Sequence, residues 1–213
     1  MSERRERLQS ARLYLVCDEQ PDAFLHAALR GGVDLVQLRM KDAGEEKILA
    51  TAARFARACQ EHGALFIVND RPDLAAAAGA DGVHLGQDDA PVPEARQIVG
   101  AERIVGLSTH SEGQLDRADL GVGYVAVGPV HATPTKPGRP AVGLELVAYA
   151  ARTARVPFFA IGGIDANNAG AVRAAGARRI AVVRALTEAP DPERAARALR
   201  AAIAPSEVTV GTT

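Results

Sequence analysis

The sequence predicts an α/β protein with a single domain, a closed (β/α)8 TIM barrel. Eight short, almost continuously apolar runs are distributed over 213 residues, and segments with helical periodicity lie between them. Runs of this kind are typical of parallel strands that are buried on both faces of the sheet. They begin about 24 residues apart on average, which leaves room for one strand and one helix in each repeat. An open doubly wound sheet would use the same elements, but the number of strands favours the closed barrel.

The predicted strands are residues 12–17, 33–38, 64–68, 82–85, 104–107, 124–127, 157–161 and 179–183. Helices are predicted where apolar residues recur at helical spacing, most clearly at residues 44–62, 142–154, 165–175 and 191–203. Asp165 and Asp191 are typical N-cap residues, and Pro192 suits a first helical turn. No linker interrupts the series, so we predict one domain over residues 1–213. Residues 1–11 are expected to be a flexible N-terminal extension and residues 205–213 a flexible tail.

The composition is that of an ordinary globular protein, with a net charge of −1 and 24% charged residues. This balance disfavours general nucleic-acid binding, which needs a basic face. No apolar run approaches the ~20 residues that span a bilayer, and the charged N-terminus lacks the apolar segment of an export signal. We therefore expect a cytoplasmic protein that binds neither nucleic acid nor membranes, with Cys17 and Cys59 as reduced thiols. The sequence leaves the oligomeric state open, with a homodimer as one candidate.

In a barrel of this type the active site lies at the carboxyl ends of the strands. Gln37, Arg39 and Lys41 follow the second predicted strand, and alternation places them on one side of the chain. Arg binds phosphate oxygens through two parallel hydrogen bonds, and Lys adds a compact charge. Lys41 is also one of only three lysines among 25 basic residues. These residues predict a site for a polyanion, and a solvated strand end is the alternative.

Acidic residues follow the next two predicted strands, Asp70 after the third and Asp89 after the fourth. Two carboxylates at neighbouring strand ends, close to a cationic patch, are suited to Mg²⁺, which completes its shell with water and phosphate oxygens. N-capping of the following helices, near Pro72 and Pro91, explains the same residues equally well. His84 is more typical of a hydrogen-bonded structural residue than of a metal ligand, and the absence of an HExxH pattern disfavours zinc.

The fifth and sixth strands are followed by hydroxyl groups and by an unusual loop. Ser108 lacks the GxSxG sequence of a hydrolase and is interpreted as a hydroxyl that contacts a ligand. Residues 128–140 hold four prolines and two glycines, a composition that excludes a helix or a strand. Thr133, Thr135 and Lys136 lie in this loop, which therefore predicts a lid that contacts phosphate.

The last two strands end in Gly162-Gly163 and in Val183-Arg184. Glycines let backbone N–H groups approach an anion, and the loops after strands 7 and 8 are the recurrent phosphate site of this fold. A tight turn that needs glycine would look the same. The two anion sites together predict either two phosphorylated substrates or one substrate that is phosphorylated at both ends.

Six motifs, taken together, resemble those of the thiamine phosphate synthase family. They are Val36-Gln37-Leu38-Arg39 with Lys41, Val68-Asn69-Asp70-Arg71, Gly82-Val83-His84-Leu85-Gly86-Gln87-Asp88-Asp89, Gly106-Leu107-Ser108-Thr109, Gly128-Pro129 with Thr133-Pro134-Thr135-Lys136, and Ala160-Ile161-Gly162-Gly163-Ile164. They run in family order from about Leu13 to Leu186. The resemblance implies a (β/α)8 transferase of a non-methyl group. Such an enzyme joins 4-amino-5-hydroxymethyl-2-methylpyrimidine diphosphate to 4-methyl-5-(2-phosphoethyl)thiazole, or to its 2-carboxy form, and releases diphosphate and thiamine phosphate.

The resemblance also implies roles for individual residues. Asp70 and Asp89 resemble the ligands of a Mg²⁺ cofactor. The implied contacts to the pyrimidine diphosphate are Gln37, Arg39, Lys41, Asn69, Ser108 and Lys136, of which Arg39, Lys41, Ser108 and Lys136 are the catalytic residues. The positions that resemble the thiazole phosphate site are Thr133, Thr135, Gly163, Val183 and Arg184, and the implied substrate-binding motifs also contain Leu38, Met40 and Pro134.

Three positions depart from commoner versions of the family pattern. Met40 stands where a polar residue is frequent, and His131 replaces an aromatic residue. Arg184 stands where some members carry a small hydroxyl residue, which leaves open whether its backbone, its side chain or neither contacts the phosphate.

The implied chemistry is a dissociative substitution. Diphosphate leaves a methylene group on an electron-rich aminopyrimidine, and the thiazole nitrogen captures the stabilised cation. Three alternatives stay open: a thiazole tautomerase, an aldolase that uses Lys41 or Lys136 as a Schiff base, and a non-catalytic sensor that binds thiamine phosphate. The acidic pair and the Gln-x-Arg-x-Lys run disfavour the tautomerase, because that reaction involves no diphosphate.

Overall fold

The computed structural model of the chain describes residues 3–118, 121–133 and 140–204. Eight parallel strands form a closed barrel in chain order, and β8 pairs with β1. The strands are β1 (Leu13–Cys17), β2 (Leu35–Leu38), β3 (Leu65–Asn69), β4 (Gly82–Leu85), β5 (Ile104–Thr109), β6 (Tyr124–Val127), β7 (Phe158–Ile161) and β8 (Ile180–Val182). Each strand begins and ends within two residues of its predicted bounds. The predicted fold class is confirmed.

Helices surround the barrel. They are α1 (Glu3–Ser10), α2 (Asp22–Arg30), α3 (Glu45–Glu61), α4 (Pro72–Ala77), α5 (Val92–Val99), α6 (Glu112–Asp116), α7 (Gly143–Thr153), α8 (Ala169–Ala174), α9 (Arg184–Thr187) and α10 (Pro192–Ala202). The four predicted helices correspond to α3, α7, α8 and α10. Within the described ranges, none of these helices is long and apolar enough to cross a membrane.

The two predicted N-caps have different outcomes. Asp191 caps α10, because its carboxylate accepts a hydrogen bond from the backbone N–H of Arg194. Asp165 does not cap α8, which begins after Asn168. Its carboxylate instead accepts hydrogen bonds from the N–H groups of Asn167 and Asn168 and closes the turn before the helix.

The segment expected to be an N-terminal extension contains helix α1. Its one apolar side chain, Leu8, is buried among the side chains that fill the barrel. Arg4 Nε lies 2.8 Å from Asp81 Oδ1, and Arg7 donates a hydrogen bond to the carbonyl of Ala64 at 2.6 Å. Ala64 and Asp81 directly precede β3 and β4, so α1 packs across the amino end of the barrel. One apolar residue gives no helical periodicity, and the pattern therefore does not predict this helix.

Alternation along the strands divides the apolar side chains into two clusters. The outer cluster lies between the strands and the helices and includes Leu38 and Phe55. The inner cluster fills the barrel and includes Tyr14, Tyr124 and Phe159. The three rings meet edge to face, with centroids 5.3–5.7 Å apart. This aromatic layer supports the floor of the carboxyl end of the barrel.

Both cysteines are buried and free, as predicted. Cys17 lies in β1 and Cys59 in α3, and neither forms a disulfide. Burial raises the pKa of each thiol well above its ordinary value. A thiol with a raised pKa is a poor nucleophile, so the two cysteines belong to the packing of the outer cluster.

Gly106 gives the first testable prediction, because a Cβ atom there would overlap the phenol ring of Tyr124. We expect Gly106→Ala to lower the free energy of unfolding by about 1–3 kcal/mol, the usual cost of overpacking a filled core. Gly170→Ala is the matched control, since a Cβ atom at this position of α8 meets open space. Alanine favours a helix over glycine by about 0.5–1 kcal/mol. Urea unfolding measures both changes, and equal stability of the two variants would contradict the packing of Tyr124 against β5.

Candidate active site

A cavity of about 530 Å³ opens at the carboxyl ends of the strands, a volume typical of small-molecule sites. Most of the predicted site residues line it, although they are far apart in the sequence. These residues are Gln37, Arg39, Lys41, Asn69, Asp70, Asp89, Ser108, Thr133, Gly163, Val183 and Arg184. The barrel therefore brings the two predicted anion sites into one cavity, with β2 to β4 on one wall and β7 and β8 on the other.

Leu38 and Met40 do not reach the cavity with their side chains. Successive strand residues point to opposite faces, and Gln37 and Arg39 occupy the inner face. Leu38 is consequently buried in the outer cluster, and Met40 packs against that cluster. Neither side chain is therefore among those that line the cavity. The predicted residues Pro134, Thr135 and Lys136 lie outside the described residues.

Asp70 and Asp89 are in direct contact at the rim of the cavity. The carboxyl group of Asp89 lies within hydrogen-bonding reach of that of Asp70, and Lys41 Nζ lies 3.4 Å from Asp70 Oδ2. Burial is the largest cause that raises the pKa of Asp70 above its ordinary value, followed by the hydrogen bond with Asp89 and the charge of Asp89, whereas Lys41 lowers it. Two neighbouring carboxyl groups bind a proton more readily than an isolated carboxyl group does.

Neither carboxylate caps a helix, so the N-cap alternative is wrong. The N-cap positions of α4 and α5 are Arg71 and Pro91, and both helices lack a side-chain cap. Asp89 instead accepts a hydrogen bond from Gly86 N at 2.6 Å. Asp70 has a φ of 60°, in the left-handed region that residues other than glycine rarely adopt. Strained residues of this kind are concentrated at functional sites.

The acid pair supplies hard oxygen ligands. In the three described ranges, no group of three or more His, Cys, Asp or Glu side chains is arranged to hold a metal ion. A cation bound to Asp70 and Asp89 would therefore need ligands of other kinds to complete its shell, such as water or substrate oxygens. Coordination of this kind is typical of Mg²⁺, whereas structural Zn²⁺ prefers a closed set of protein ligands.

The floor of the cavity contains residues that the sequence pattern did not assign to the site. Tyr14 lines the floor, and its hydroxyl accepts a hydrogen bond from Gln37 Nε2. His84 is hydrogen-bonded, as predicted, with Nε2 lying 3.0 Å from Ser108 Oγ, but it also lines the cavity. A tyrosine within an apolar run gives no local signal, because only the closed barrel shows which residues of β1 face inward.

The opposite wall depends on two glycines after β7. Gly162 and Gly163 have positive φ values of 106° and 62°, and a Cβ atom at Gly163 would press against His131. The turn itself therefore requires glycine, independently of any anion. Val130 N donates to the carbonyl of Ile161 at 2.8 Å and His131 N to that of Gly162 at 3.0 Å. These bonds hold the first part of the loop after β6 against the end of β7.

Arg184 occupies the first residue of α9 and lines the cavity. Its guanidinium lies 3.9 Å from the carboxylate of Glu188, and both side chains are largely exposed to solvent. Exposed pairs at this distance contribute little to stability. The arginine therefore places a solvent-exposed positive charge at the rim, on the wall opposite the acid pair.

Comparison with known proteins identifies the family. The sequence model of thiamine monophosphate synthase matches residues 13–186. Thiamine-phosphate synthase from Arthrobacter sp. (strain FB24) is 49% identical, over 92% of this chain and 95% of the relative. The protein of the same name from Acidothermus cellulolyticus is 53% identical, over 92% of this chain and 97% of the relative.

A solved structure agrees with these relatives. Thiamine phosphate pyrophosphorylase from Pyrococcus furiosus superposes with a TM-score of 0.84 and 32% sequence identity, over 93% of this chain and 96% of that chain. The chain belongs to the thiamine monophosphate synthase family.

Proposed function

We propose that this protein joins 4-amino-5-hydroxymethyl-2-methylpyrimidine diphosphate to 4-methyl-5-(2-phosphoethyl)thiazole, or to its 2-carboxy form, and so produces thiamine phosphate and diphosphate. The observation that carries the proposal is the contact between Asp70 and Asp89 beside Lys41, at the rim of a cavity with a second, glycine-lined wall. The names of its relatives, thiamine-phosphate synthase, support the same activity.

Asp70 and Asp89 are the residues that would hold Mg²⁺. Burial and the neighbouring Asp89 raise the pKa of Asp70, so a positive charge nearby favours the ionised form of its carboxyl group. Lys41 provides part of this charge, and a divalent cation would provide the remainder. When bound, Mg²⁺ supplies a positive charge that stabilises negative charge on diphosphate oxygens.

Arg39 and Lys41 are positioned to bind the diphosphate. Both line the cavity on the same wall as the acid pair, and the backbone N–H of Arg39 donates to the carbonyl of Cys17 at 2.8 Å, which fixes the backbone at this position. As the diphosphate leaves, negative charge grows on its oxygens, and fixed cations bind this state more strongly than the starting ester. Lys136 has the same role by family resemblance.

Gln37, Asn69 and Ser108 lie around the floor, where they would contact the pyrimidine diphosphate. Thr133, Gly163, Val183 and Arg184 line the opposite wall, and together with Thr135 they are proposed to hold the thiazole phosphate. Because the two walls face each other across one cavity, the thiazole nitrogen is held near the methylene carbon of the pyrimidine. Positioning of this kind replaces the entropy cost of bringing two molecules together.

The reaction needs no nucleophilic side chain. The C–O bond of the pyrimidinylmethyl diphosphate breaks, and its electron pair leaves with the diphosphate oxygen. The lone pair of the thiazole nitrogen then forms the new C–N bond. The protein contributes charge stabilisation and positioning, which is consistent with a cavity lined by cations, amides and hydroxyls.

Turnover gives the direct test of this proposal. We expect the purified protein to release diphosphate only when both substrates and Mg²⁺ are present, and EDTA to abolish the release. A coupled assay for diphosphate, with each component omitted in turn, is the measurement. Isomerisation of the thiazole without diphosphate release would indicate a tautomerase, and tight binding of thiamine phosphate without turnover would indicate a sensor. Trapping of a substrate on a lysine by borohydride would indicate an aldolase.

Asp89→Asn tests the acid pair separately. The amide oxygen can still accept the hydrogen bond from Gly86 N, so we expect the fold to persist while the charge is lost. Loss of one such charge-binding group is expected to lower the rate about 10²–10³-fold. Asp73→Asn is the matched control, because Asp73 pairs with Arg71 outside the cavity. Full activity of Asp89→Asn at saturating Mg²⁺ would exclude Asp89 as a ligand.

A further inference from the structure

A chain of buried hydrogen bonds runs through the floor of the cavity and ends at Ser108. Gln37 Nε2 donates to the hydroxyl of Tyr14, which lies 2.7 Å from the hydroxyl of Tyr124. The Tyr124 hydroxyl lies 3.0 Å from His84 Nδ1, and His84 Nε2 lies 3.0 Å from Ser108 Oγ. All five side chains are buried. We call these five residues the polar chain.

The direction of each hydrogen bond in the polar chain follows from counting protons. An amide nitrogen can only donate, so the hydroxyl oxygen of Tyr14 accepts the hydrogen bond from Gln37. The hydroxyl of Tyr14 has a single proton, and it therefore donates to the oxygen of Tyr124. The hydroxyl of Tyr124 then donates a hydrogen bond to His84 Nδ1, so the imidazole carries its own proton on Nε2. Burial raises the pKa of both tyrosines above the ordinary value, which keeps both hydroxyls protonated. The reverse direction would leave the proton of Tyr14 without an acceptor in the polar chain.

This direction decides how Ser108 presents its hydroxyl. Its oxygen already accepts the Nε2 proton of His84, so the serine proton is not used within the polar chain. Ser108 also lines the cavity, and this proton is therefore available to a ligand there. A hydroxyl that accepts one hydrogen bond and donates another is polarised toward donation.

We propose that Tyr124 and His84 are positioning residues that fix Ser108 as a hydrogen-bond donor to the departing diphosphate. The inference rests on the proposed function, and it adds a device that no single residue of the site reveals. Donation to an oxygen that gains negative charge strengthens as the C–O bond breaks, so the effect falls on kcat rather than on substrate binding. Tyr124 lies below the residues that line the cavity and acts only through its neighbours.

The packing beneath the floor holds this device rigid. The ring of Tyr124 stacks on His84, with centroids 5.6 Å apart and an interplanar angle of 23°. Tyr14 and Phe159 press edge to face against Tyr124 from the other sides. Gly106 leaves the space that the Tyr124 ring occupies. The imidazole is therefore fixed by contacts that do not depend on a ligand.

Tyr124→Phe removes one hydroxyl and keeps the ring. We expect kcat for diphosphate release to fall about tenfold, with KM changed less than about twofold, because the imidazole proton is no longer confined to Nε2. Tyr149→Phe is the matched control, since it removes a tyrosine hydroxyl that donates to Asp116 outside the cavity. Thermal unfolding checks that both variants are folded. An unchanged kcat in folded Tyr124→Phe would overturn the inference.

A double-mutant cycle separates positioning from general support of the fold. In a Ser108→Ala background, Tyr124→Phe should cause no further loss, because the donor that it orients is absent. His84→Gln places an amide N–H near the position of Nε2 and should retain more activity than His84→Asn. Losses that multiply in the double variant, or equal losses in the two His84 variants, would assign Tyr124 and His84 a structural role only.

The tautomer of His84 gives a test that needs no turnover. The chain has five histidines, and long-range proton–nitrogen NMR, with His84→Gln for assignment, identifies the nitrogen that carries the proton. We expect Nε2–H in the unmodified protein and a mixture of tautomers in Tyr124→Phe. A proton fixed on Nδ1 overturns the inference whether or not the protein is active. Nε2–H in a protein that releases no diphosphate supports the direction of the polar chain and contradicts the proposed function instead.

Discussion

The carboxyl groups of Asp70 and Asp89 are held against each other in a half-buried position, and this contact costs free energy unless a proton or a cation lies between them. The fold maintains it at both ends. Asp70 adopts a left-handed backbone conformation, and its N–H donates to the carbonyl of His84 at 2.8 Å. Asp89 is fixed by the N–H of Gly86. The backbone strain at Asp70 and the repulsion between the two carboxylates are both unfavourable, and a positive charge beside the pair offsets the repulsion. Lys41 supplies part of this charge.

The closed barrel makes the rest of the site a consequence of strand alternation. Inward-facing residues of β2 reach the cavity at Gln37 and Arg39, whereas Leu38 between them packs under the helices. The same alternation directs Tyr14 and Tyr124 into the interior from strands on different sides of the barrel. The polar groups of the floor therefore come from strands that face each other across the barrel. The rim groups Lys41, Asp70 and Asp89 come from neighbouring strands.

The sequence is informative wherever the signal is local. Continuous apolar runs predict all eight strands to within two residues, and Asp191 is recognisable as a cap because capping needs only the neighbouring N–H groups. Most of the site residues predicted from the polar strand ends line the cavity. Contacts across long sequence separations gave no signal: Tyr14 and Tyr124 are 110 residues apart, and α1 has a single apolar anchor, Leu8. The family motif contains Leu38 and Met40 because it is a continuous run of residues, whereas a strand directs only every second side chain into the cavity.

Leu8 and the aromatic layer fill the barrel from its amino end up to the cavity floor. Within the described residues, a small molecule therefore reaches the floor from the rim, where Lys41 and Asp70 lie. Gln37 and Ser108 are almost fully buried, whereas the Lys41 side chain is 53% exposed. The cavity is closed at its floor and open at its rim. A molecule bound at the floor can therefore leave only after any molecule bound nearer the rim has left.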